Sequence, residues 1–208
     1  MSIALFHFHV TQIKRSAGQS AVAAAAYRAG EKLHSEYYGE DSDYTRKGGV
    51  ICSEILLPSH APSEYADRET LWNAVEKAER GKKAQLAYSF DIALQNEFSM
   101  QGNIALARQF LLENFVSRGM VVDFAVHSPD KEDGGISNLH FHVMCPILPM
   151  SRTANGAISS GGNMCWTSMG SAFGTRRATM CSTLCQPPTG AVRILWRIGD
   201  RHGLTYAT

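Results

Sequence analysis

The segment from Val121 to Ile147 leaves this chain few ways to fold. Val121 to His127 and Leu139 to Ile147 both read as strands, separated by the polar run SPDKEDGGISN. The connection of 12 residues between His127 and His140 suits an antiparallel hairpin. Strand side chains alternate between faces, so in NLHFHV His140 and His142 point one way while Leu139, Phe141 and Val143 enter the core. The hairpin brings His127, at the end of the first strand, beside them.

Other segments extend the pattern. Ile3 to Ile13 alternates as a strand, with His7 and His9 on one face and Phe6 and Phe8 on the other. SAVAAAAYRAGEKL, Ser20 to Leu33, is rich in strong helix formers, with Ser20 placed to cap it. His34 to Gly49 is polar and turn-rich and holds Tyr37, Tyr38 and Tyr44, and Val50 to Leu57 is a short apolar stretch. Pro62 to Arg80 and Asn103 to Arg118 read as amphipathic helices closed by glycines, and Leu86 to Leu94 alternates as a strand. The order predicts an α+β domain, a largely antiparallel sheet covered by helices.

No apolar run approaches the roughly 20 residues of a membrane span. MSIALFHFHVTQIKRS has no basic region ahead of an apolar core, so it reads as a strand and not as a signal peptide. Five cysteines with no CxxC spacing fit reduced thiols. A cytoplasmic protein is expected, with no membrane insertion.

The composition changes near residue 150. Residues 1–150 carry 14 Lys+Arg and 18 Asp+Glu, whereas residues 151–208 carry six Arg, no Lys and one acidic residue, Asp200. The second part has neither strand nor helix periodicity over Ser151 to Gly190. The expected organisation is a domain over 1–150 and an irregular basic tail over 151–208. The tail also has the character of a shifted reading frame. Permitted codons for Arg152 to Gly170, read from the third base of the Arg152 codon, also encode NGKWGDKQRREYVLDEHG. The continuation to Ala191 encodes KRIRDEAGNYVFNAVPTTDWG.

Three neutral imidazoles, His127, His140 and His142, can hold a divalent ion with positions left for phosphate oxygens or water. His7 and His9 form a second HxH pair without a third histidine nearby in sequence, and are expected on the substrate-facing side of the sheet or as partly exposed structural residues. A tyrosyl hydroxyl becomes a nucleophile when a cation or metal activates the reaction, and Tyr27, followed by Arg28, is placed for this in the alanine-rich helix. The same position also suits plain helix packing. Tyr37, Tyr38 and Tyr44 compete but lie in the turn-rich segment. Asp91 shares its strand face with Ser89 and is either a surface carboxylate or one that positions a proton or the metal. Lys14, Arg15, Arg28, Lys32, Lys82 and Lys83 are candidates for a phosphate-binding surface.

GQSAVAAAAYRAGEKL, LWNAVEKAERGKKAQLA, FDIAL and AVHSPDKEDGGISNLHFHVM, in this order, resemble the N-terminal relaxase domain of MobA/MobL plasmid mobilisation proteins, within the HUH endonuclease class. The resemblance covers residues 1 to about 150. It implies a transesterase that nicks single-stranded plasmid DNA at the origin of transfer, with Tyr27 becoming joined to the 5′ end. It further implies Mn²⁺ or Mg²⁺ on His127, His140 and His142, a catalytic role for Asp91, and partners among accessory relaxosome proteins and a conjugative coupling protein. Ser89 stands where relatives tend to carry a second acid, and Gln95 replaces the usual proline. The shifted-frame stretches containing WG and VPTTDWG resemble the family's continuation after the HxH strand. Two alternatives remain: a truncated copy that only binds DNA, and a metal-dependent hydrolase that releases free ends.

Overall fold

The computed structural model describes residues 7–128 and 139–147. Residues 1–6, most of the SPDKEDGGISN connection and the basic tail lie outside the described residues. Seven strands and three α-helices occur in the order β1 (Phe8–Lys14), α1 (Ala21–Ala29), β2 (Lys32–Ser35), β3 (Glu40–Asp43), β4 (Val50–Leu56), α2 (Arg68–Ala78), β5 (Gln85–Ala93), α3 (Met100–Asn114), β6 (Val122–His127) and β7 (His140–Pro146). Five strands form one sheet in the order β1-β5-β7-β6-β4, every pair antiparallel, and β2 and β3 make a separate hairpin. The α+β architecture expected from the residue pattern is the one observed.

Each helix begins at a side-chain cap. Ser20 accepts from the Ala23 amide, Asp67 from Thr70 and Ser99 from Gly102. These caps correct two expected boundaries. Pro62 lies ahead of a 3₁₀ turn, Ser63–Ala66, and α2 waits for Asp67, while α3 starts at Met100, three residues early. Helix α1 stops at Ala29 and does not run to Leu33. Gly30 takes the left-handed conformation at φ 69° and its amide bonds the Ala26 carbonyl. A Cβ on Gly30 would also come within 3.2 Å of Val50 Cγ2. The freed Leu33 enters β2 instead.

The sheet buries its two faces differently. One face is mainly apolar: Phe90, Ile92, Phe124, Val126, Phe141 and Val143 pack with Ala107, Phe110 and Leu111 of α3, and at its β4 edge Glu54 pairs with Arg108 of the same helix. On the other face, one end is covered by α1 and α2, where Ile13, Ala87 and Met144 meet Val22, Ala25, Ala26, Leu71, Trp72 and Val75. Alanines on α1 present little bulk, so the helix packs close to α2 and the sheet. At the opposite end of this face, where among the described residues only the C-terminal end of α1 reaches His127, the inward positions become His9, Asp91, His142, His140 and His127. Among the described residues no helix is long and apolar enough to cross a membrane.

Candidate metal and nucleophile site

Register places the polar residues in rows. His9 pairs with Asp91 and Asp91 with His142, so the three lie in one line across β1, β5 and β7. His140 pairs directly with His127 on β6. One ligand nitrogen from each of His127, His140 and His142 falls within 4.8 Å of the others, and the rings of His127 and His142 stand 4.6 Å apart. Thus the hairpin brings together the three histidines that the sequence singles out.

Two of these rings have their orientation set from behind. His142 Nδ1 hydrogen-bonds Asp91 Oδ1, and His127 Nε2 donates to the Arg28 carbonyl oxygen at 2.6 Å. These partners fix which nitrogen carries hydrogen and leave His142 Nε2 and His127 Nδ1 as bases. Three imidazoles so arranged could hold a divalent ion. Burial would raise the Asp91 carboxyl, but the hydrogen bond from His142 and the charges of His142, Arg28 and His9 outweigh it and hold it below the usual range. His9 Nδ1 lies 3.8 Å from Asp91 Oδ2, so the pair at His7 and His9 borders the site without belonging to the histidine triad.

Burial pushes the His127 imidazole down to about 4; the Arg28 carbonyl opposes this, and His142, Lys47 and His140 reinforce it. An unfolded ring titrates near 6.5, so between these values the unfolded chain binds more protons than the folded one. His127 therefore contributes stability that is complete above about pH 6.5 and lost as the pH falls toward 4, on the order of 3 kcal/mol. Urea unfolding of metal-free protein at pH 7 and pH 4.5 should show this loss, and His127→Gln should shrink it. An equally steep loss in that variant would assign it elsewhere.

Tyr27 is 48% exposed near the C-terminal end of α1, while its neighbours Ala25, Ala26 and Ala29 are buried. The ring meets Tyr44 edge-on at 5.2 Å between centroids, and Lys47 Nζ stands 3.6 Å above its centre. Arg28 turns beneath the helix, donating to the Ala24 carbonyl at 3.0 Å and to Ser89 Oγ at 2.8 Å. A cleft of about 350 Å³ opens between β1 and α1, lined by Thr11, Gln12 and Gln19 together with Ala24, Tyr27 and Arg28. No carboxylate is among the described residues that line it.

The helix that carries Tyr27 is clamped at both ends. At its start the buried Glu76 of α2 accepts from Ser20 Oγ at 2.7 Å and from the Ala21 and Val22 amides at 2.7 and 3.3 Å, and its other oxygen accepts from Ser35 Oγ at 2.8 Å. A carboxylate suits the positive end of a helix. Beyond its far end Arg68 pairs with both Glu31 and the buried Asp123, which also accepts from Trp72 Nε1 at 2.8 Å. Burial raises the Asp123 carboxyl against the opposing effects of Arg68 and Trp72.

Sequence reasoning missed Lys47, Glu76 and the Arg68–Asp123 pair. The motif TRKGGV gives no spacing signal for Lys47, and the partners of Glu76 and Asp123 lie far away along the chain. Of the basic residues proposed for a phosphate surface, Arg15 is excluded. It is buried, and its guanidinium bonds the Glu76 carbonyl at 2.8 Å and the Glu79 carbonyl. Lys32 is paired with Asp41 at 2.9 Å. Arg28 lines the cleft. Tyr37 and Tyr38 occupy the turn of the β2–β3 hairpin, with Tyr37 packed on Arg15.

Comparison with known proteins gives the family of the chain. The conjugal transfer protein TraA of Rhizobium radiobacter is 38% identical over 165 residues, covering 74% of this chain and 14% of that protein. The probable mobilization protein MobA of Bifidobacterium longum is 34% identical over 142 residues, covering 68% and 24%. The mobilization protein MobL of Acidithiobacillus ferridurans is 39% identical over 127 residues, covering 61% and 33%. The chain thus spans from about one seventh to one third of the length of these relatives. A solved structure described as "Molecular Basis of Vancomycin Resistance Transfer in Staphylococcus aureus" superposes with a TM-score of 0.67 at 32% identity, covering 77% of this chain and 78% of that one. Residues 19–178 match the model of the MobA/MobL family, a span that includes the alanine-rich helix and all three histidines, and the chain belongs to that family.

Proposed function

We propose that this chain is a relaxase domain that nicks single-stranded plasmid DNA at an origin of transfer by tyrosine transesterification. The observation that carries the reading is the Tyr27 phenol, exposed on the rim of a cleft whose described lining holds no carboxylate, on a helix whose Arg28 carbonyl is bonded to one of three clustered histidines. The Tyr27 oxygen forms a bond to the scissile phosphorus as the bond to the 3′ oxygen breaks. The phenolic proton is given up to solvent and the leaving oxygen gains one, giving a 5′ phosphotyrosine and a free 3′-hydroxyl. One phosphodiester replaces another, so rejoining is as accessible as cleavage. Catalysis then rests on positioning and on charge stabilisation.

His127, His140 and His142 would hold the divalent ion, Mn²⁺ or Mg²⁺. The ion would supply positive charge to the non-bridging oxygens of the phosphate. Imidazole nitrogens suit transition ions better than Mg²⁺, which prefers oxygen ligands. Asp91 is the residue that orients His142. Asp91→Asn should weaken Mn²⁺ binding by about 10- to 100-fold, the usual cost of losing a partner behind a ligand, measured by calorimetry. Binding at wild-type affinity would remove that role.

Function is tested with a labelled oligonucleotide carrying the transfer origin. A covalent adduct that needs metal is the expected result. Binding without an adduct would favour a DNA-binding module, and free ends formed without Tyr27 would favour a hydrolase. Accessory relaxosome proteins and a coupling protein are the partners this reading implies, and the cytoplasm its compartment. We also propose that residues 151–208 come from a shifted reading frame downstream of a domain spanning residues 1–150. The gene sequence around codon 150 tests this: close relatives of the gene that keep the same frame without a single-base difference would refute it.

A further inference from the structure

Lys47 sits in the turn between β3 and β4. Its amide bonds the Tyr44 carbonyl at 2.9 Å, and the Tyr44 amide bonds the carbonyl of Glu31, just past α1, at 3.1 Å. The turn is thereby fastened to the helix that carries Tyr27. From it Lys47 Nζ reaches the face of the Tyr27 ring, 3.6 Å from its centre, and donates to the Tyr27 carbonyl oxygen at 2.8 Å. Tyr44 of the same turn meets the ring at its edge. One turn therefore grips one residue in three ways, twice at its ring and once at its backbone carbonyl.

A lysine in such a turn ordinarily keeps its ammonium in water. Here burial, with the Arg28 guanidinium nearby, pushes the Lys47 amine below its ordinary value. The ring face and the carbonyl replace part of the lost hydration. A half-exposed tyrosine on a helix surface otherwise samples several rotamers. A cation over an aromatic face contributes enough to select among them, and a small misplacement of a nucleophile costs up to about 100-fold in rate.

We propose that Lys47 is a positioning residue for the Tyr27 nucleophile: stacked on the ring and anchored to the carbonyl of the same residue, its ammonium holds the phenol in the rotamer that attacks. Lys47 exchanges no proton and forms no bond to the phosphate in this role. The inference rests on Tyr27 being the nucleophile, as proposed above.

The test is single-turnover adduct formation with the origin oligonucleotide at saturation, in Mn²⁺, for the wild type, Lys47→Met, Lys47→Arg and Tyr27→Phe, with oligonucleotide affinity measured by anisotropy on each. Lys47→Met keeps the aliphatic stem without the charge, and should slow the adduct about 10- to 100-fold while affinity changes less than about threefold. Lys47→Arg, which retains a cation for the ring face, should recover most of the rate. Wild-type rate in Lys47→Met overturns the inference and leaves Tyr27 as nucleophile intact. So does a loss confined to affinity, or Lys47→Arg as slow as Lys47→Met. An adduct that persists in Tyr27→Phe overturns the nucleophile assignment itself, and this inference with it.

Discussion

Tyr27→Phe is expected to abolish the protein–DNA adduct, with cleavage falling at least about 1000-fold, because no other group takes over once a covalent nucleophile is removed. The phenylalanine ring keeps its place against Tyr44 and beneath Lys47. The change therefore removes one oxygen from an exposed rim, and stability should move by no more than about 0.5 kcal/mol. Denaturing gel mobility of a 3′-labelled oligonucleotide, whose labelled fragment stays joined to the protein, reads the adduct directly. Residual adduct in Tyr27→Phe would transfer the nucleophile to Tyr37, Tyr38 or Tyr44. Of these, Tyr44 is the one that contacts Tyr27 and lines the same cleft.

Glu76→Ala is expected to destabilise the domain by about 3 to 5 kcal/mol, since each buried donor left without its acceptor costs about 1 to 3 kcal/mol. Glu76 is 1% exposed and receives hydrogen bonds from Ser20, Ala21, Val22 and Ser35. Its loss strands donors from the start of α1 and from β2 in a dry environment. Glu76→Gln keeps the shape and acceptor oxygen but not the charge, and should cost less. Urea unfolding measures both. A loss under about 1 kcal/mol in Glu76→Ala would show that water replaces the carboxylate at little cost. Because Ser20 begins the helix that carries Tyr27, cleavage should fall in Glu76→Ala below what the unfolded fraction accounts for.

How far the sequence could be read depended on whether the signal was local. The HxH strand and its hairpin partner were legible because alternation assigns faces without knowledge of the rest of the fold, and the observed pairing of His127 with His140 follows from it. The alanine helix was legible for the same reason, except at Gly30, where the left-handed turn ended it four residues early. The β2–β3 hairpin escaped notice because EDSD carries no apolar alternation; its strands are held by pairing and by Glu69 and Asn73 of α2. Arg15 looked like a surface cation because charge does not reveal burial. Glu76 looked like a solvated helix residue because its partner Ser20 lies 56 positions away. His9 could not be placed by pattern, and only register set it beside Asp91.

His127 answers to two neighbourhoods at once. One ring nitrogen is spent on the backbone of α1, next to the tyrosine, and the other is left toward the companion imidazoles. Losing this ring would unfasten the helix as well as remove one of the three clustered imidazoles, so defects seen on replacing it cannot be credited to the cluster alone. Replacing His142, whose ring is held by Asp91 and not by α1, and comparing it with His127 would separate the loosening of the helix from the loss of a ring in the cluster.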